Sequence, residues 1–450
     1  RIPLRMYVID ENGNFDFCEV TLILQDSPLT NACQDVASLL PSVSGRITTE
    51  MSDGVNNIEV ELTNMTSALN KTEMTNNDGQ YKFDGIDVFD PKTIEARNEA
   101  DLLNGVSTLD LVMMQRHILG LQSIASPYKL LAADVNNSKS ITASDLVDLR
   151  KVILGMSTSF VNNTSWRFVP SDFVFLDPTY PFDFPSMINL DSLFEDKTNV
   201  NFIGVKVGDV NNSVEANLNS SSTENRSANA LFVTDLIEFE GGAHVKVDVK
   251  AAELMDIMGT QFGLGFDADQ LVFQQVKSGK LNVHDYNINT NLAADGKLYF
   301  SIDIPNGVSL SPDDVLMTIE FKSKAKGNTA FMSTSNDNFD SEVYELDGTV
   351  KSLNILARSN ASGPQNELFQ NQPNPFKDFT NISFELAEAA NTSIKVMDVT
   401  GKVVYTHVSN YEKGYHTLTL SNAHFTGKGV YYYQINAGEF TATKKMILIE

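Results

Sequence analysis

The residues of this chain best suited to chemistry are oxygen donors, and their spacing would wrap a hard cation. Residues 134–145 read Asp134-Val135-Asn136-Asn137-Ser138-Lys139-Ser140-Ile141-Thr142-Ala143-Ser144-Asp145. A loop that ligates from positions 1, 3, 5, 7, 9 and 12 can hold Ca2+ with carboxylates, amides, hydroxyls and one backbone carbonyl. Those positions carry Asp134, Asn136, Ser138, the carbonyl of Ser140, Thr142 and Asp145. Two departures weaken the fit. Lys139 occupies position 6, where glycine would make the sharp turn more cheaply by about 1 kcal/mol. Ser138 at position 5 leaves only two carboxylates to offset the ion's charge.

The loop runs into Asp145-Leu146-Val147-Asp148-Leu149-Arg150-Lys151-Val152-Ile153-Leu154-Gly155, which has helical spacing. A similar run, Asp110-Leu111-Val112-Met113-Met114-Gln115-Arg116-His117-Ile118-Leu119-Gly120, lies 35 residues earlier. Both begin with aspartate and end in Ile-Leu-Gly, where glycine suits a helix C-cap. An internal repeat of this kind predicts a paired-helix unit. His117 aligns with Val152 and is read as a packing residue. The loop before the first helix is incomplete, because counting back from Asp110 puts Glu99, Asp101 and Leu103 at positions 1, 3 and 5, and leucine cannot ligate. However, Asp209-Val210-Asn211-Asn212-Ser213 repeats residues 134–138 letter for letter. The expectation is that this distant segment returns with Asp209, Asn211 and Ser213 to a loop completed by Ser107 and Asp110. An ordinary Asx turn is the alternative use of the same residues.

Little else here could do chemistry. The sequence contains no Gly-x-Ser-x-Gly, no His-Glu-x-x-His and no phosphate-cradling glycine loop. Six histidines and two cysteines are scant material for a nucleophile–base pair. The expectation is therefore not an enzyme, with no catalytic or organic-cofactor residues and calcium as the one cofactor. A formal charge of −25 and a pI near 4.5 argue against nucleic acid, whose phosphates would be repelled. No run of about 18 apolar residues is present to form a transmembrane segment. Cys18 and Cys33 are 15 residues apart. They could pair with each other, or Cys18 could pair with a partner upstream; in a secreted protein some disulfide is favoured over free thiols.

The elements that must position these groups fall into several pieces, since 450 residues exceed one core and imply about three to five domains. Residues 1–35 hold two strand-like runs around Asp10-Glu11-Asn12-Gly13-Asn14. The opening Arg1-Ile2-Pro3-Leu4 sits inside a strand pattern and reads as a fragment of a longer protein. Residues 36–97 alternate as short strands with Asp-Gly and Asn-Asn turns. The helical repeat and an aromatic, proline-bearing extension around Trp166 make a third piece, 98–216, with the extension expected beside the helices. A Ser/Asn-rich linker, 217–229, precedes a β-rich piece at 230–360. A second linker, 361–368, leads to 369–450, where alternating runs and Gly turns predict a sandwich of about 80 residues.

Several of these pieces resemble known families. The first hairpin resembles the closing hairpin of immunoglobulin-like adhesin repeats. The segment "SGRI…DGVNNIEVEL…TNNDGQYKFDGI" is similar to the carboxypeptidase regulatory-like, transthyretin-like module, which implies a spacer and not a catalyst. The loop with its two Asp-Leu-Val…Ile-Leu-Gly helices, about residues 101–156, resembles a type I dockerin, a duplicated loop–helix calcium module. Residues 230–360 resemble a cohesin-like sandwich through "GTQFGLGFDADQLVFQQV" and "SPDDVLMTIEFKSKAKG". The tail, with "QNQPNPF…IKVMDVTGKVV…GVYYYQINAGEFTATKKMIL", is similar to the type A sorting domain of type IX secretion substrates.

The fold class expected is thus multidomain and mainly β: serial immunoglobulin-like and transthyretin-like sandwiches with one small α-helical dockerin-like calcium module. The tail's resemblance implies secretion across the outer membrane of a Bacteroidota-type cell to the surface. Its partners would be a translocon barrel, an outer-membrane shuttle barrel and a sortase. Pro373, Asn374, Pro375 and Phe376, the Gly401 turn and the strand containing Lys444 and Lys445 are the expected signal, the last strand offering free backbone to a partner. Dockerin-like and cohesin-like pieces in one chain imply an intramolecular contact. The leading function is the non-catalytic C-terminal part of an adhesin-like surface protein. The alternatives are the targeting tail of a secreted hydrolase and a component of a cellulosome-like scaffold.

Overall fold

The computed structural model describes residues 2–9, 15–22, 40–64, 70–87, 90–217, 229–312, 314–330, 332–335, 339–358, 366–371, 374–425 and 427–449. The chain divides into two compact units. The first comprises Arg1–Asn98, Trp166–Phe175 and Asp183–Val205; the second comprises Glu99–Ser165, Leu176–Phe182 and Lys206–Glu450. Among the described residues, strands dominate and only three α-helices occur.

In the first unit, β1 (Ile2–Ile9) and β2 (Phe15–Leu22) form an antiparallel hairpin in which Met6 pairs with Cys18. Cys33 and the side chain of Cys18 lie outside the described residues, and the disulfide expectation with them. Next come β3 (Val43–Thr48), β4 (Glu59–Asn64), β5 (Asn70–Met74), β6 (Gln80–Phe83) and β7 (Lys92–Arg97). These would leave β3 and β7 as bare edges, with unpaired backbone that invites further strands. The chain fills both edges from far downstream, with β8 (Trp166–Pro170), β9 (Met187–Leu190) and β10 (Phe202–Lys206). The resulting sheets run β6-β3-β10-β8 and β5-β4-β7-β9. Strand β10 joins β3 in parallel, with Phe202 opposite Ile47, and β9 joins β7 antiparallel. Ile47, Val60, Ile94, Trp166 and Phe202 are buried. This corrects the boundary at 97/98. Strands β8, β9 and β10 of the aromatic extension complete the upstream sandwich instead of packing beside the helices, while Leu176–Phe182 groups with the second unit; along the chain the helical module lies between β7 and β8.

The second unit holds the three helices, α1 (Thr108–Ile118), α2 (Pro127–Ala133) and α3 (Ala143–Ile153). Its sandwich contains β11 (Asn229–Asp235), β12 (Glu238–Phe239), β13 (His244–Ala251), β14 (Met255–Gly265), β15 (Leu271–Ser278) and β16 (Ile288–Asn289). It continues with β17 (Lys297–Leu310), β18 (Val315–Ser323), β19 (Gly327–Asn328), β20 (Ser333–Thr334), β21 (Glu342–Glu345) and β22 (Val350–Arg358). All but β12 and β19, which pair with each other, join one mixed ten-stranded sheet. Its strands supply one shared core, so the sheet must fold over on itself. At the centre, Phe262 stacks on Phe300 at 4.6 Å between ring centroids, and Phe232 meets Phe262 edge-on.

The tail folds as a second sandwich from β23 (Glu367–Leu368), β24 (Phe379–Leu386), β25 (Ala390–Asp398), β26 (Val403–Tyr411), β27 (Gly414–Ser421), β28 (Gly429–Ala437) and β29 (Phe440–Leu448). Sheets β23-β24-β27 and β26-β25-β28-β29 enclose Phe384, Val396, Tyr433 and Met446. No helix among the described residues is long and apolar enough to cross a membrane.

Candidate functional site

Each of the two repeated helices is started by the same device. Ser107 caps α1 and Thr142 caps α3, and in both the aspartate three residues on, Asp110 or Asp145, accepts the cap's backbone N–H. This reciprocal capping box satisfies orphan donors at the first turn. It also fixes a carboxylate at the mouth of each loop.

In residues 134–145 the loop closes around its own donors. Asp134 accepts Ser138 N–H at 2.7 Å on Oδ1 and Lys139 N–H at 3.0 Å on Oδ2. Asn136 Oδ1 accepts Ser138 N–H at 3.1 Å. Asp145 accepts Asn136 N–H at 3.2 Å on Oδ1 and Thr142 N–H at 2.9 Å on Oδ2. The Ser138 hydroxyl donates to the carbonyl of Ser140 at 3.2 Å. Lys139 adopts φ +64, the left-handed conformation that glycine takes without strain. Lys139→Gly is therefore expected to stabilise the loop by up to about 1 kcal/mol, read by urea denaturation; a loss of stability would contradict this account of the turn.

The distant segment comes back as the repeat suggested. Asp110 Oδ1 accepts Val210 N–H at 2.8 Å and Asn211 N–H at 3.3 Å, while Oδ2 accepts Ser107 N–H at 2.9 Å. Asp209 accepts Ser213 N–H at 3.1 Å and Val214 N–H at 3.0 Å. Asn211 Oδ1 accepts Ser213 N–H at 2.8 Å. The Ser213 hydroxyl donates to the carbonyl of Gly105 at 3.1 Å. Bond for bond this is the loop of residues 134–145, built from two pieces of chain. Glu99, Asp101 and Leu103 are displaced from the donor positions by Asp209, Asn211 and Ser213.

Two participants escaped the sequence. The carbonyl of Gly105 takes the place that Ser140 holds in the contiguous loop, and a backbone oxygen leaves no mark in residue type. Gly105 has φ +72, and a Cβ there would fall 2.5 Å from Val214 Cα, so only glycine admits the returning segment. Asn104 pins that segment, accepting Glu215 N–H at 2.9 Å and donating to Glu215 O at 3.0 Å. An asparagine just ahead of a glycine was the available signal.

The donor sets fit a hard divalent cation. Asp110, Asp134 and Asp145 are fully buried and Asp209 nearly so. Burial pushes the Asp110 carboxyl well above its ordinary range, and the neighbouring charge of Asp209 pushes it further. Asp209 is likewise raised by burial. The buried Lys206 ammonium, held down to about 8 by its own desolvation, offsets part of that charge from beside Asp209. Each carboxylate oxygen bonded to one N–H retains a further lone pair. Among the described residues no three His, Cys, Asp or Glu side chains gather, so the donors are a carboxylate pair with amide, hydroxyl and carbonyl oxygens, as calcium prefers over softer metals. His117 takes no part: its Nδ1 accepts Ile124 N–H at 3.1 Å.

Helix α1 carries this split loop directly onto the sandwich of the same unit. Thr108 N–H donates to Gln261 Oε1 at 2.8 Å, and Thr108 Oγ1 lies 2.7 Å from Ser301 Oγ, both contacts buried. Leu109 and Val112 pack on Met258 and Tyr344. A Cβ on Gly259 would come 3.1 Å from Val112, so the close approach depends on that glycine. Helix α3 adds a buried ion pair between Arg150 and Asp303, with the Arg150 guanidinium 5.0 Å from the centre of the Tyr286 ring. Asn289 Nδ2 also donates to Leu154 O at 2.7 Å. A cleft of about 330 Å³ between the split loop and the sandwich is lined by Asn104, Ser107, Ser213, Gln261, Glu342 and Tyr344 among others.

In the tail, the expected signal residues are placed differently from the expectation. Pro373 lies outside the described residues. Asn374 and Phe376 do not stand apart from the last strand but cover its edge. Ile447 N–H donates to Asn374 Oδ1 at 2.9 Å. Phe376 N–H donates to Ile447 O at 2.9 Å, and Ile449 N–H to Phe376 O at 2.8 Å. Gln370 Nε2 donates to Lys445 O at 2.7 Å. The idea of a free terminal edge is thus corrected between residues 445 and 449, because covering it satisfies backbone that would otherwise template foreign strands. Phe376 is buried, Lys444 half-buried and Lys445 exposed. Pro375 follows a cis peptide bond, and Gly401 turns the β25–β26 hairpin at φ +85.

Two family models match segments of the chain. The Secretion system C-terminal sorting domain family matches residues 372–450, and the Dockerin type I domain family matches residues 104–154. Among solved structures, the seventh ScaB type I cohesin from Pseudobacteroides cellulosolvens is similar at 20% identity, covering 30% of this chain and 95% of its own, with a TM-score of 0.21. A non-cellulosomal cohesin from the hyperthermophilic archaeon Archaeoglobus fulgidus is 17% identical over 30% of this chain and 93% of its own, TM-score 0.21. The type II cohesin dyad from the adaptor ScaA scaffoldin of Acetivibrio cellulolyticus is 10% identical over 47% and 89%, TM-score 0.24. No curated protein matches the chain.

Proposed function

We propose that this chain is the non-catalytic C-terminal region of a large, adhesin-like surface protein, delivered by the type IX secretion system. In this reading the dockerin-like module binds two calcium ions. One is held by Asp134, Asn136, Ser138, Ser140 O, Thr142 and Asp145. The other is held by Asp209, Asn211, Ser213, Gly105 O, Ser107 and Asp110. Calcium supplies charge neutralisation and rigidity there; the residues supply the cage and the helix caps.

The observation that carries the structural role is the docking of α1 onto the sandwich of its own chain. Thr108, Leu109 and Val112 are consumed inside the molecule, which favours a self-braced stalk over a scaffold whose α1 waits for another protein. Export is supported by the sorting-domain match at 372–450. The test is to express the full chain, epitope-tagged at its N-terminus, in a cell with a working type IX system, with and without residues 369–450. Surface labelling of intact cells should require that tail. Equal labelling of the truncated chain would sink the export reading.

A further inference from the structure

We infer that residues 207–216 form a calcium-fastened strap that resists tension between the upstream sandwich and everything downstream. The inference rests on the reading that an ion occupies the split loop. After β10 the chain has one covalent route to β11, and it passes through this segment. That segment does not hang free. Val207 N–H donates to Ser165 O at 3.0 Å and Gly208 N–H to Ala132 O at 2.9 Å. Val210 and Asn211 are held by Asp110, Ser213 by Gly105 and Glu215 by Asn104. Val207, Val210 and Ala216 are buried. The bonds therefore follow one another along the strap, and beyond Asn217 come residues 218–228, read from sequence as linker.

Pulled from its downstream end, a strap held only by such bonds opens one bond at a time, Glu215 first. An ion changes this. Asp209, Asn211 and Ser213 would ligate from the strap while Gly105 O, Ser107 and Asp110 ligate from the module beneath, so three positions must let go together. The contiguous loop at 134–145 has all its ligands within one piece of chain and cannot fasten the strap. The two ions, alike in chemistry, thus differ in mechanics: once α1 and α3 have left the sandwich, only the ion of the split loop lies across the line of pull.

The test pulls the full chain by its termini in an optical trap, in millimolar calcium and then in chelator. Forced opening reads an unfolding barrier. Release of the strap should follow the undocking of α1 and α3 and appear as a further extension of roughly 40 Å, from ten to twelve residues at about 3.3–3.6 Å each. Chelation should lower the force of that step at least about twofold. Asp209→Asn in calcium should behave as the wild type does in chelator, while Asp134→Asn keeps the high-force step. A second readout needs no variant: a glutamate-specific protease should cut after the exposed Glu215 at least about tenfold faster in chelator, because cleavage tracks local opening. Two bound ions with an unchanged step and unchanged cleavage would overturn the strap. A wild-type titration giving one ion, lost in Asp134→Asn, would instead overturn the split calcium site beneath it.

Discussion

Removing calcium from the intact chain is expected to lower the melting of the helical module by about 10 °C or more for each ion lost. An ion present at a hundredfold excess over its dissociation constant stabilises the state that binds it by about 2.7 kcal/mol. For a module of this size each kcal/mol corresponds to roughly 4–8 °C. Calorimetric titration of the chelated chain should give two ions. Asp134→Asn and Asp209→Asn should each remove one, and the double variant both. At the split site burial pushes both Asp110 and Asp209 above their ordinary range, a cost that an ion would relieve. A melting curve unmoved by chelator, with no metal in the purified chain, would leave a calcium-free helical spacer.

Arg150→Ala is expected to be the most damaging substitution in the contact between α3 and the sandwich, costing about 3–5 kcal/mol. Both partners of the ion pair are nearly buried, the Arg150 side chain at 7% exposure and that of Asp303 at 6%. Removing the guanidinium would strand a carboxylate out of reach of water, and that uncompensated charge is the larger part of the loss. The double replacement Arg150→Met with Asp303→Leu should recover most of it, because two apolar side chains leave no charge behind. Urea denaturation would measure both, and hydrogen exchange of α3 and β17 would locate the damage. If the single variant costs under about 1 kcal/mol, the pair behaves as a solvated surface bridge and the docked arrangement is weaker than its burial indicates.

The parts of the fold that could be read from sequence were those coded by side chains in short register. Asp134 through Asp145 announced their loop because each donor sits at a fixed step. The literal repeat at 209–213 pointed to the return of this segment to Asp110, which the structure shows, although an Asx turn would have used the same residues. What could not be read was backbone. Gly105 takes part through a carbonyl that accepts the Ser213 hydroxyl, and the pairing of β10 with β3 joins residues more than 150 positions apart through main-chain bonds that nearly any sequence could make. The aromatic stretch around Trp166 lost its period because long turns separate β8, β9 and β10. The tail misled in a different way: its last strand does alternate as an edge strand should, but nothing in that alternation says that Asn374 and Phe376 will cover it.

The insertion of the helical module into the upstream sandwich also sets an order of assembly. Asp110 and Asp209 stand 99 residues apart in the chain, and contacts over such separations form late because loop closure must come first. Helices α1 and α3 and the loop at 134–145 need only local contacts and can appear at once. Along the chain the strap comes after β8, β9 and β10 and before β11. An ion in the split loop would therefore be captured later than one at 134–145. Two sites with nearly the same donors would fill at different stages, the first marking a nascent helix pair and the second the return of the strap.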